Sequence, residues 1–434
     1  MGRSPVWLRL LGRRPTSLFL AFAAGPAGLG GTGAVVAQDW TTRPEYQIDP
    51  PEGGTGEFGR SSMLRVGRSG TRIVVWDAGA ARHDAGSRIL VFSPDGGLLL
   101  RMEPDDLPGG PGSPVGVRAG ASSFWVRYPG RSIRFSYDSG NPGETVVFPR
   151  ELGRVLPLAG GGFLGLSRRS AVAGAQVVVR LADADGERIS DTIAVLDVRN
   201  SILTIALGDL RRGLTRSHES QPFADNDLTW MDEEAGSVGI VRRSGPPGVA
   251  EVFEITASGD TAWHRHLQLS AVPVRADRLE REITDKVDDL RAQAQSYGLT
   301  EAQLWTMVEE ALHVPSHLPS VSAVVATASG EVWLRTREVE DSMAVWYAIP
   351  RVDKVSVTRR VLLPISFRLN DASSDHVWGF SELSPESGRI LVGLRLVRRV
   401  DGMGWFRAVD ANRTNDIVRG VETDYGYIEV TLPD

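Results

Sequence analysis

The stretch SRILVFSPDGGLLLRM, residues 87–102, decides the fold class because it encodes two short strands and the turn between them. Its two apolar runs flank the tetrapeptide SPDG, residues 93–96. In such a turn the proline fixes φ, the aspartate bonds its own backbone, and the glycine accepts a positive φ. Apolar runs separated by these residues predict a β-hairpin. The alternating β-branched and aromatic residues of TRIVVWDAG, residues 71–79, predict a further strand before it.

The same combination, an aromatic strand followed by a second strand, recurs six times along the chain. The first strands of these pairs lie near residues 73, 124, 163, 238, 332 and 377. Most of these positions are about 40 to 50 residues apart, which is the length of a four-stranded propeller blade. Two intervals are longer: one contains a polar stretch, residues 210–227, that predicts a long loop, and the other contains helices.

The helices form a predicted αα-hairpin over residues 276–313. Apolar residues recur at helical spacing from Asp277 to Tyr297, and Gly298 is placed to end this first helix. Thr300, with Gln303 three residues later, predicts a capping box at the start of the second helix. The apolar faces of both helices require a surface to pack on. The apolar positions of the first helix are Leu279, Ile283, Val287, Leu290 and Ala294.

Together these elements resemble the six-bladed β-propellers of the NHL-like type found in secreted bacterial proteins. The matching features are the strand GEVWLR (330–335) after HLPSVSAV (317–324), the VFSPDG hairpin (91–96) and the helical insertion. The resemblance implies an all-β six-bladed propeller over residues 61–400, with the αα-hairpin between blades four and five. It leaves the function open, because propellers serve in binding, scaffolding and catalysis.

A propeller ring needs its last blade completed, because an unpaired strand edge is a liability. We expect closure either by the N-terminal segment near Phe58 to Met63 or by the C-terminal YIEVTL, residues 427–432. The residues outside the propeller are accordingly an N-terminal extension, 38–60, and a C-terminal tail, 401–434.

The first 37 residues have the pattern of a secretory signal peptide. They carry four arginines, no acidic residue, a short apolar run from Leu18 to Ala24 and small residues up to Ala37. We predict cleavage near Ala37 and a secreted or periplasmic protein. Removing the four arginines changes the formal net charge from −6 to −10.

Charge and composition exclude several classes of partner. An acidic chain does not attract nucleic acid electrostatically. After residue 37 the sequence contains no uninterrupted run of eighteen apolar residues, so we predict no membrane span. The absence of cysteine excludes disulfides, thiolate nucleophiles and cysteine-ligated metals. We expect a monomer with no cofactor.

Two arginines are the candidates for ligand binding. Arg127 and Arg335 occupy equivalent positions, directly after the strand sequences FWV and VWL. If this position points into the central channel, the guanidiniums are suited to an anionic or carbohydrate ligand. If it faces between blades, they are structural ion-pair partners, and this is the interpretation that we favour. The tryptophans of the same strands are interpreted as core rather than as sugar-binding platforms.

The sequence gives no metal site or catalytic residue. His264 and His266 lie two residues apart on a predicted strand and face one side, but no acidic residue with evident ligand spacing accompanies them. The oxygen-rich cluster Asp225 to Asp227 is interpreted as turn capping rather than as a calcium site. No nucleophile elbow, P-loop or dinucleotide fingerprint is present.

We therefore predict an extracytoplasmic binding module, without catalysis, for a protein or small-molecule partner that the sequence does not identify. The alternative is a metal-dependent lactonase or hydrolase that uses the central channel, and a third option is a carbohydrate-active propeller. One sequence cannot show which acidic and amide side chains converge in a channel.

Overall fold

The computed structural model describes residues 38–48, 58, 62–67, 70–77, 87–103, 106–107, 114–148, 152–158, 162–167, 175–181, 189–207, 215–232, 235–327, 329–351, 358–382, 389–398, 421–423 and 426–428. All of them belong to one compact unit, Ala37–Asp434. The predicted signal peptide and residues 401–420 of the predicted tail lie outside the described residues. Neither helix of the described chain is both long and apolar enough to cross a membrane.

The first described strand, β1 (Gln38–Ile48), belongs to the last sheet. Four other sheets each consist of four antiparallel strands in chain order. The first contains β2 (Met63–Val66), β3 (Ile73–Asp77), β4 (Arg88–Phe92) and β5 (Leu98–Met102). The second contains β6 (Gly116–Ala119), β7 (Ser123–Tyr128), β8 (Arg131–Ser136) and β9 (Pro142–Val147). The third contains β10 (Leu152–Pro157), β11 (Phe163–Ser167), β12 (Ala175–Leu181) and β13 (Ile189–Asp197).

The remaining strands complete the all-β architecture. A two-stranded sheet is formed by β14 (Ile202–Leu207) and β15 (Thr215–Ser220). The fourth four-stranded sheet contains β16 (Leu228–Asp232), β17 (Ser237–Arg242), β18 (Val249–Thr256) and β19 (Thr261–Gln268). Then follow β20 (Val321–Ala326), β21 (Glu331–Glu340), β22 (Met343–Pro350), β23 (Arg359–Pro364), β24 (Phe367–Ala372), β25 (His376–Glu382) and β26 (Arg389–Arg398). A second two-stranded sheet has β27 (Val421–Thr423) and β28 (Gly426–Ile428).

The fifth large sheet has eight strands in the order β20-β21-β22-β23-β1-β26-β25-β24. It forms because β1 bonds on both of its edges, in parallel to β23 and antiparallel to β26. The expectation of six separate blades therefore differs from the large sheets of the described chain, which are four of four strands and one of eight. Sequence periodicity marks strands that follow one another, and it does not show that a distant strand joins two groups.

The sheets are arranged radially, as in a propeller. Apolar clusters join the first sheet to the second, the second to the third and the third to the fourth. Further clusters join the fourth sheet to β20–β22, the two halves of the eight-stranded sheet to each other, and its β25–β26 side to the first sheet. Each of the four four-stranded sheets, and each half of the eight-stranded sheet, thus packs against two neighbours. The described chain has an all-β, propeller-like fold.

The tryptophans illustrate how this packing uses the repeated strands. Trp333 and Trp378 are buried in the clusters on either side of the last strands, and Trp76 packs against the cluster between the first two sheets. Trp125 instead lines the central cavity.

The strand that pairs with β26 is β1, which lies earlier in the chain than the segment suggested by the sequence. Their register runs from Trp40 opposite Arg398 to Ile48 opposite Leu391. Met63 instead begins β2, whose sheet partner is β3, so the segment near Phe58 to Met63 does not supply the partner strand. Phe58 is buried against Phe380, with ring centroids 5.5 Å apart.

The C-terminal alternative for closure falls mostly outside the described residues. Tyr427 and Ile428 pair with β27 in a two-stranded sheet, and residues 429–432 are not among those described. The N-terminal extension predicted for 38–60 thus contributes a sheet strand, because every β1 residue from Gln38 to Ile48 is extended.

The β-hairpin predicted for residues 87–102 is confirmed. β4 and β5 pair in antiparallel register, and the Ser93 N–H donates to the Gly97 carbonyl oxygen at 2.8 Å. Gly96 has a φ of 90°, a conformation that a side chain would strain. The Ser93 hydroxyl donates to the Asp95 carboxylate inside the turn.

The predicted helical insertion is confirmed as α1 (Ala276–Ser296) and α2 (Glu301–Ala311). At the start of α2, the Gln303 N–H donates to Thr300 Oγ1 at 3.3 Å, and Gln303 Oε1 accepts from the Thr300 N–H at 2.9 Å. Both helices share a core with β14. The predicted loop at 210–227 is wrong in part, because Thr215–Ser220 is a strand whose backbone pairs with β14. The buried side chains of this core include Leu203, Ile205, Leu207, Val287 and Leu304.

Candidate functional site

A cavity of 840 Å³ lies where the first strands of the four-stranded sheets meet β20 and β24, the two end strands of the eight-stranded sheet. Its walls come from β2, β6, β10, β16, β20 and β24, with further side chains from the second strands β7 and β21. The innermost strands contact one another around it: β2 contacts β6 and β24, and β20 contacts β16 and β24. A cavity of this volume accommodates a small organic ligand.

Positive side chains predominate among the charged residues of the lining. In the part of the chain that the structure describes, six arginines and two aspartates line the cavity. Because the walls are partly desolvated, such an excess of one sign focuses the potential and attracts ions of the opposite sign. The cavity is therefore suited to an anion. The arginines are Arg65, Arg118, Arg127, Arg154, Arg335 and Arg368, and the aspartates are Asp232 and Asp371.

Strand alternation places these arginines toward the cavity. In β2, Leu64 is buried between sheets, whereas its neighbours Met63 and Arg65 line the cavity. In β10, Val155 is buried and Arg154 faces the cavity. Successive strand residues point to opposite faces, so an apolar residue on the packed face leaves its polar neighbour at the centre.

Arg127, a ligand-binding candidate from the sequence, lies in this cavity among other cations. Burial, together with the nearby charges of Arg118, Arg154 and Arg65, lowers the pKa of its guanidinium to about 10. Within the described chain the Arg127 side chain has no carboxylate partner. Its charge is therefore destabilised in the free protein and available to an anion.

Arg335, the second candidate, lines the same cavity from β21. Burial lowers the pKa of its guanidinium. It lies opposite Trp346 in the sheet register, and both side chains contribute to the wall. Among the described residues no acidic group pairs with Arg335. The structure thus places both arginines where the channel interpretation requires them, rather than between sheets.

Arg65 is held by backbone carbonyls. Its Nη1 donates to the Asn370 oxygen at 2.7 Å and to the Leu64 oxygen at 3.2 Å. Burial lowers the pKa of Arg65, the Asp371 charge opposes that effect, and the Arg118 charge adds to it. Asp371 in turn accepts from the Val66 N–H at 2.8 Å. Arg65 is therefore a fixed part of the wall.

The second aspartate of the wall is also engaged. Asp232 forms an ion pair with Arg351, whose Nη1 lies 3.5 Å from Glu254 Oε1 as well. The Ala235 N–H donates to Asp232 Oδ1 at 3.0 Å. The carboxylates of the cavity therefore already accept hydrogen bonds from the protein.

The histidine pair lies elsewhere. His264 and His266 are on β19 and do not line the cavity. Burial, followed by the neighbouring His266, lowers the pKa of His264. The sequence showed no acidic companion, but the structure places Glu251 of β18 within 4.8 Å of both rings' nitrogens. The acid was missed because it comes from another strand, opposite His266 in the register.

The oxygen-rich cluster at 225–227 does not converge on one point. Asp225 accepts from Asn200 Nδ2 at 3.2 Å, whereas Asp227 accepts from the Asp197 N–H at 3.0 Å. The Asn226 carbonyl oxygen accepts from Arg243 at 2.8 Å. These separate partners fit the capping role predicted for the segment.

Sequence reasoning missed four of the six cavity arginines. They lie in the short first strands MLRV (63–66), GVRA (116–119), LGRVLP (152–157) and FRLNDA (367–372). The signal that could have revealed them is an arginine at the second or third position of each strand. The repeat pattern began instead at the more apolar second strands.

Fold and cavity together define the class: an all-β, propeller-like protein with an arginine-rich central cavity. No protein-family model and no curated protein matches the chain. Among solved structures it is similar to a "Putative exported protein" of Bacteroides fragilis, with 10% identity and a TM-score of 0.39, over 84% of this chain and 100% of that one.

Two further structures show similarity at the same low level. A chain of a mitotic checkpoint complex has 11% identity and a TM-score of 0.37, over 84% of this chain and 94% of that one. A subtype N11 neuraminidase-like protein of A/flat-faced bat/Peru has 10% identity and a TM-score of 0.34, over 86% of this chain and 99% of that one. At these scores the similarities carry no argument about this chain, and its class rests on its own strand order and packing.

Proposed function

We propose that this chain is an extracytoplasmic six-bladed propeller that binds a small anionic ligand in its arginine-rich cavity and does not catalyse a reaction on it. The observation that carries the proposal is the convergence, among the described residues, of six arginines from separate strands with two aspartates on one cavity. Guanidinium groups bind carboxylate, sulfate and phosphate through paired, charge-assisted hydrogen bonds.

Six blades follow if the eight-stranded sheet is counted as two. Strands β20 to β23 would be blade five, and β24 to β26 completed by β1 would be blade six. The apolar cluster between these halves is of the same kind as the clusters between the separate sheets. The extracytoplasmic location rests on the signal-peptide pattern of residues 1–37.

The ligand that fits best carries at least two acidic groups. Arg127 of β7 and Arg335 of β21 approach the cavity from different sheets, and neither has a carboxylate partner within the described residues. A compact dicarboxylate, tricarboxylate or organic phosphate would pair with both. Such a ligand would also relieve the repulsion that lowers the pKa of Arg127.

The metal-dependent hydrolase alternative is less well supported by the chemistry of the wall. A catalytic divalent cation needs several oxygen or nitrogen ligands and tolerates few neighbouring positive charges. Here the two aspartates of the wall are bonded to Arg351 and to the Val66 N–H. Six arginines would repel a cation from the same space.

Calorimetric titration of the chain with citrate, inorganic phosphate and sulfate tests the proposal. We expect citrate to bind most tightly. Each of Arg127→Gln and Arg335→Gln should weaken citrate binding by about 10- to 100-fold, the effect of losing a charge-assisted hydrogen bond. Arg281→Gln is the matched control, because it removes the same charge from the exposed surface of α1.

Two outcomes would overturn the proposed function. One is that none of the three anions binds at low ionic strength. The other is that the two cavity variants bind citrate as the Arg281→Gln control does. Release of a product from an ester or lactone substrate, abolished by metal removal, would favour the hydrolase instead.

A further inference from the structure

Three side chains with metal-binding atoms meet on the outer part of the fourth sheet. Glu251 lies on β18, and His264 and His266 lie on β19. Glu251 is directly opposite His266 in the antiparallel register. Because strand residues two apart share a face, and paired residues share it too, all three side chains project from the same side of the sheet.

Their ligand atoms are already close together. One nitrogen or oxygen from each side chain lies within 4.8 Å of the others. His266 Nδ1 is 3.7 Å from Glu251 Oε1. The centroids of the two imidazole rings are 4.4 Å apart, and the rings meet edge to face. Around a tetrahedral zinc ion with bonds of about 2.0 to 2.2 Å, ligand atoms are about 3.4 Å apart. Both histidines are exposed, so small side-chain rotations suffice to reach this geometry.

The neighbours of the cluster orient it. Arg242 of β17 lies 3.9 Å from Glu251 Oε2, which leaves Oε1 facing the imidazoles. The Arg242 guanidinium also stacks on Phe253 at 5.2 Å, and Phe253 meets the His264 ring edge to face at 6.0 Å. Partners of this kind fix the orientation of metal ligands in known sites.

We propose that Glu251, His264 and His266 form a surface site for one Zn²⁺-class ion. Two imidazoles and a carboxylate are a common three-ligand set for zinc, whereas calcium and magnesium prefer oxygen ligands. Three protein ligands leave the fourth position of a tetrahedral ion open to water or to a group from another molecule. None of the three residues lines the arginine-rich cavity, so this site is independent of the proposed anion binding.

The test is a zinc titration of the chain prepared without a polyhistidine tag and stripped of metal with a chelator. We expect one equivalent of Zn²⁺ to bind by calorimetry, and Co²⁺ in its place to give the intense visible absorption of a tetrahedral site. His264→Ala, His266→Ala and Glu251→Gln should each weaken zinc binding by about 100-fold or more, at or above the loss found for outer-shell partners.

The control is His317→Ala, which removes an imidazole from outside the cluster and should leave the zinc affinity unchanged. The melting temperature of each variant without metal identifies any that fail to fold, and citrate binding at the cavity should stay the same in all of them. Absence of stoichiometric zinc binding would overturn the proposal. So would cluster variants that bind zinc as His317→Ala does, or a Glu251→Gln variant with undiminished affinity.

Discussion

At the scale of single residues, Arg127 shows how a charge can be placed at a cost to the free protein. Burial and three neighbouring arginines lower its pKa to about 10, well below the ordinary value for a guanidinium. Folding therefore opposes the charged form of Arg127. The structure keeps a destabilised cation where an anionic ligand would neutralise it.

We expect Arg127→Gln to raise the free energy of unfolding of the ligand-free protein at neutral pH, because it removes a destabilised charge. The gain should be on the order of 1 kcal/mol, because solvent screens this partly exposed charge. Between about pH 10 and the ordinary pKa of arginine, the unfolded arginine holds more protons than the folded one, so wild-type stability rises with pH. The advantage of the variant should therefore shrink as pH rises above 10. Urea unfolding at pH 8 and pH 11 measures both effects.

The Arg281→Gln variant serves again as the reference, since the Arg281 guanidinium that it removes is mostly exposed. If Arg127→Gln destabilises the free protein relative to that reference, the guanidinium contributes packing or hydrogen bonds that outweigh its repulsion.

Single residues also show the limit of sequence reasoning. Arg127 and Arg335 could be singled out because each directly follows the strand sequences FWV and VWL, but the sequence could not decide between the channel and the space between blades. Glu251 could not be linked to His264 and His266, because the register between β18 and β19 decides which residues face each other. The register shifts between Glu254 and Ile255, so counting residues back from the hairpin turn does not give the pairing of Glu251 with His266.

At the scale of elements, the second and third strands of each group could be predicted and the first strands could not. The second strands, such as β3 and β11, pack on both faces and are apolar throughout much of their length. Four of the six first strands carry an arginine on the cavity side, and two of them, β2 and β6, have only four residues. An arginine in so short a strand interrupts the apolar pattern that periodicity detects, although these strands form the site.

Strand β1 leads to a prediction about stability. A chain that begins at residue 49 should lose several kcal/mol in the free energy of unfolding and associate, because it leaves the edges of β23 and β26 unpaired. A chain that begins at residue 38 should keep the full stability. Thermal unfolding and light scattering compare the two.

Deletion of residues 425–434 is the corresponding change at the other terminus. We expect no change in melting temperature, because β28 pairs with β27 in a sheet of its own. A lower melting temperature for this deletion than for the chain lacking β1 would show that the C-terminal segment contributes more to ring closure.

The helical insertion has its own apolar core with β14, and this separates its stability from ligand binding. Leu304→Ala should lower the free energy of unfolding by about 2 to 5 kcal/mol, the range for truncating a buried leucine. Citrate affinity should stay within about twofold of wild type at temperatures where the variant is folded, because no helix residue lines the cavity. Chemical unfolding and calorimetry check the two halves of this prediction. A loss of citrate affinity comparable to that of Arg127→Gln would contradict it.

At the scale of the whole molecule, the cavity concentrates positive charge in a protein whose formal net charge is −6. Screening relieves repulsion among the cavity arginines and weakens their attraction for an anion.

We expect the melting temperature of the ligand-free protein to rise between about 0.01 and 0.3 M sodium chloride, where the screening length falls from about 30 Å to below 10 Å. Sodium sulfate at equal ionic strength should raise it further, since an anion that binds only the folded state adds stability. Differential scanning calorimetry measures the difference. In the double variant Arg127→Gln and Arg335→Gln the sulfate increment should fall to the nonspecific stabilisation that sulfate exerts on folded proteins in general. Persistence of the full wild-type increment would argue against binding at the cavity.

The placement of β1 also has a consequence for biogenesis. A total of 331 positions separate Glu45 of β1 from His376 of β25, two side chains joined by a 2.7 Å contact. During synthesis or translocation the N-terminus emerges first, so β1 cannot pair with β23 and β26 until these late strands have emerged. Contacts so distant in sequence slow folding and leave intermediates with open edges. A nascent chain of this design would depend on a holding chaperone until its final strands arrive.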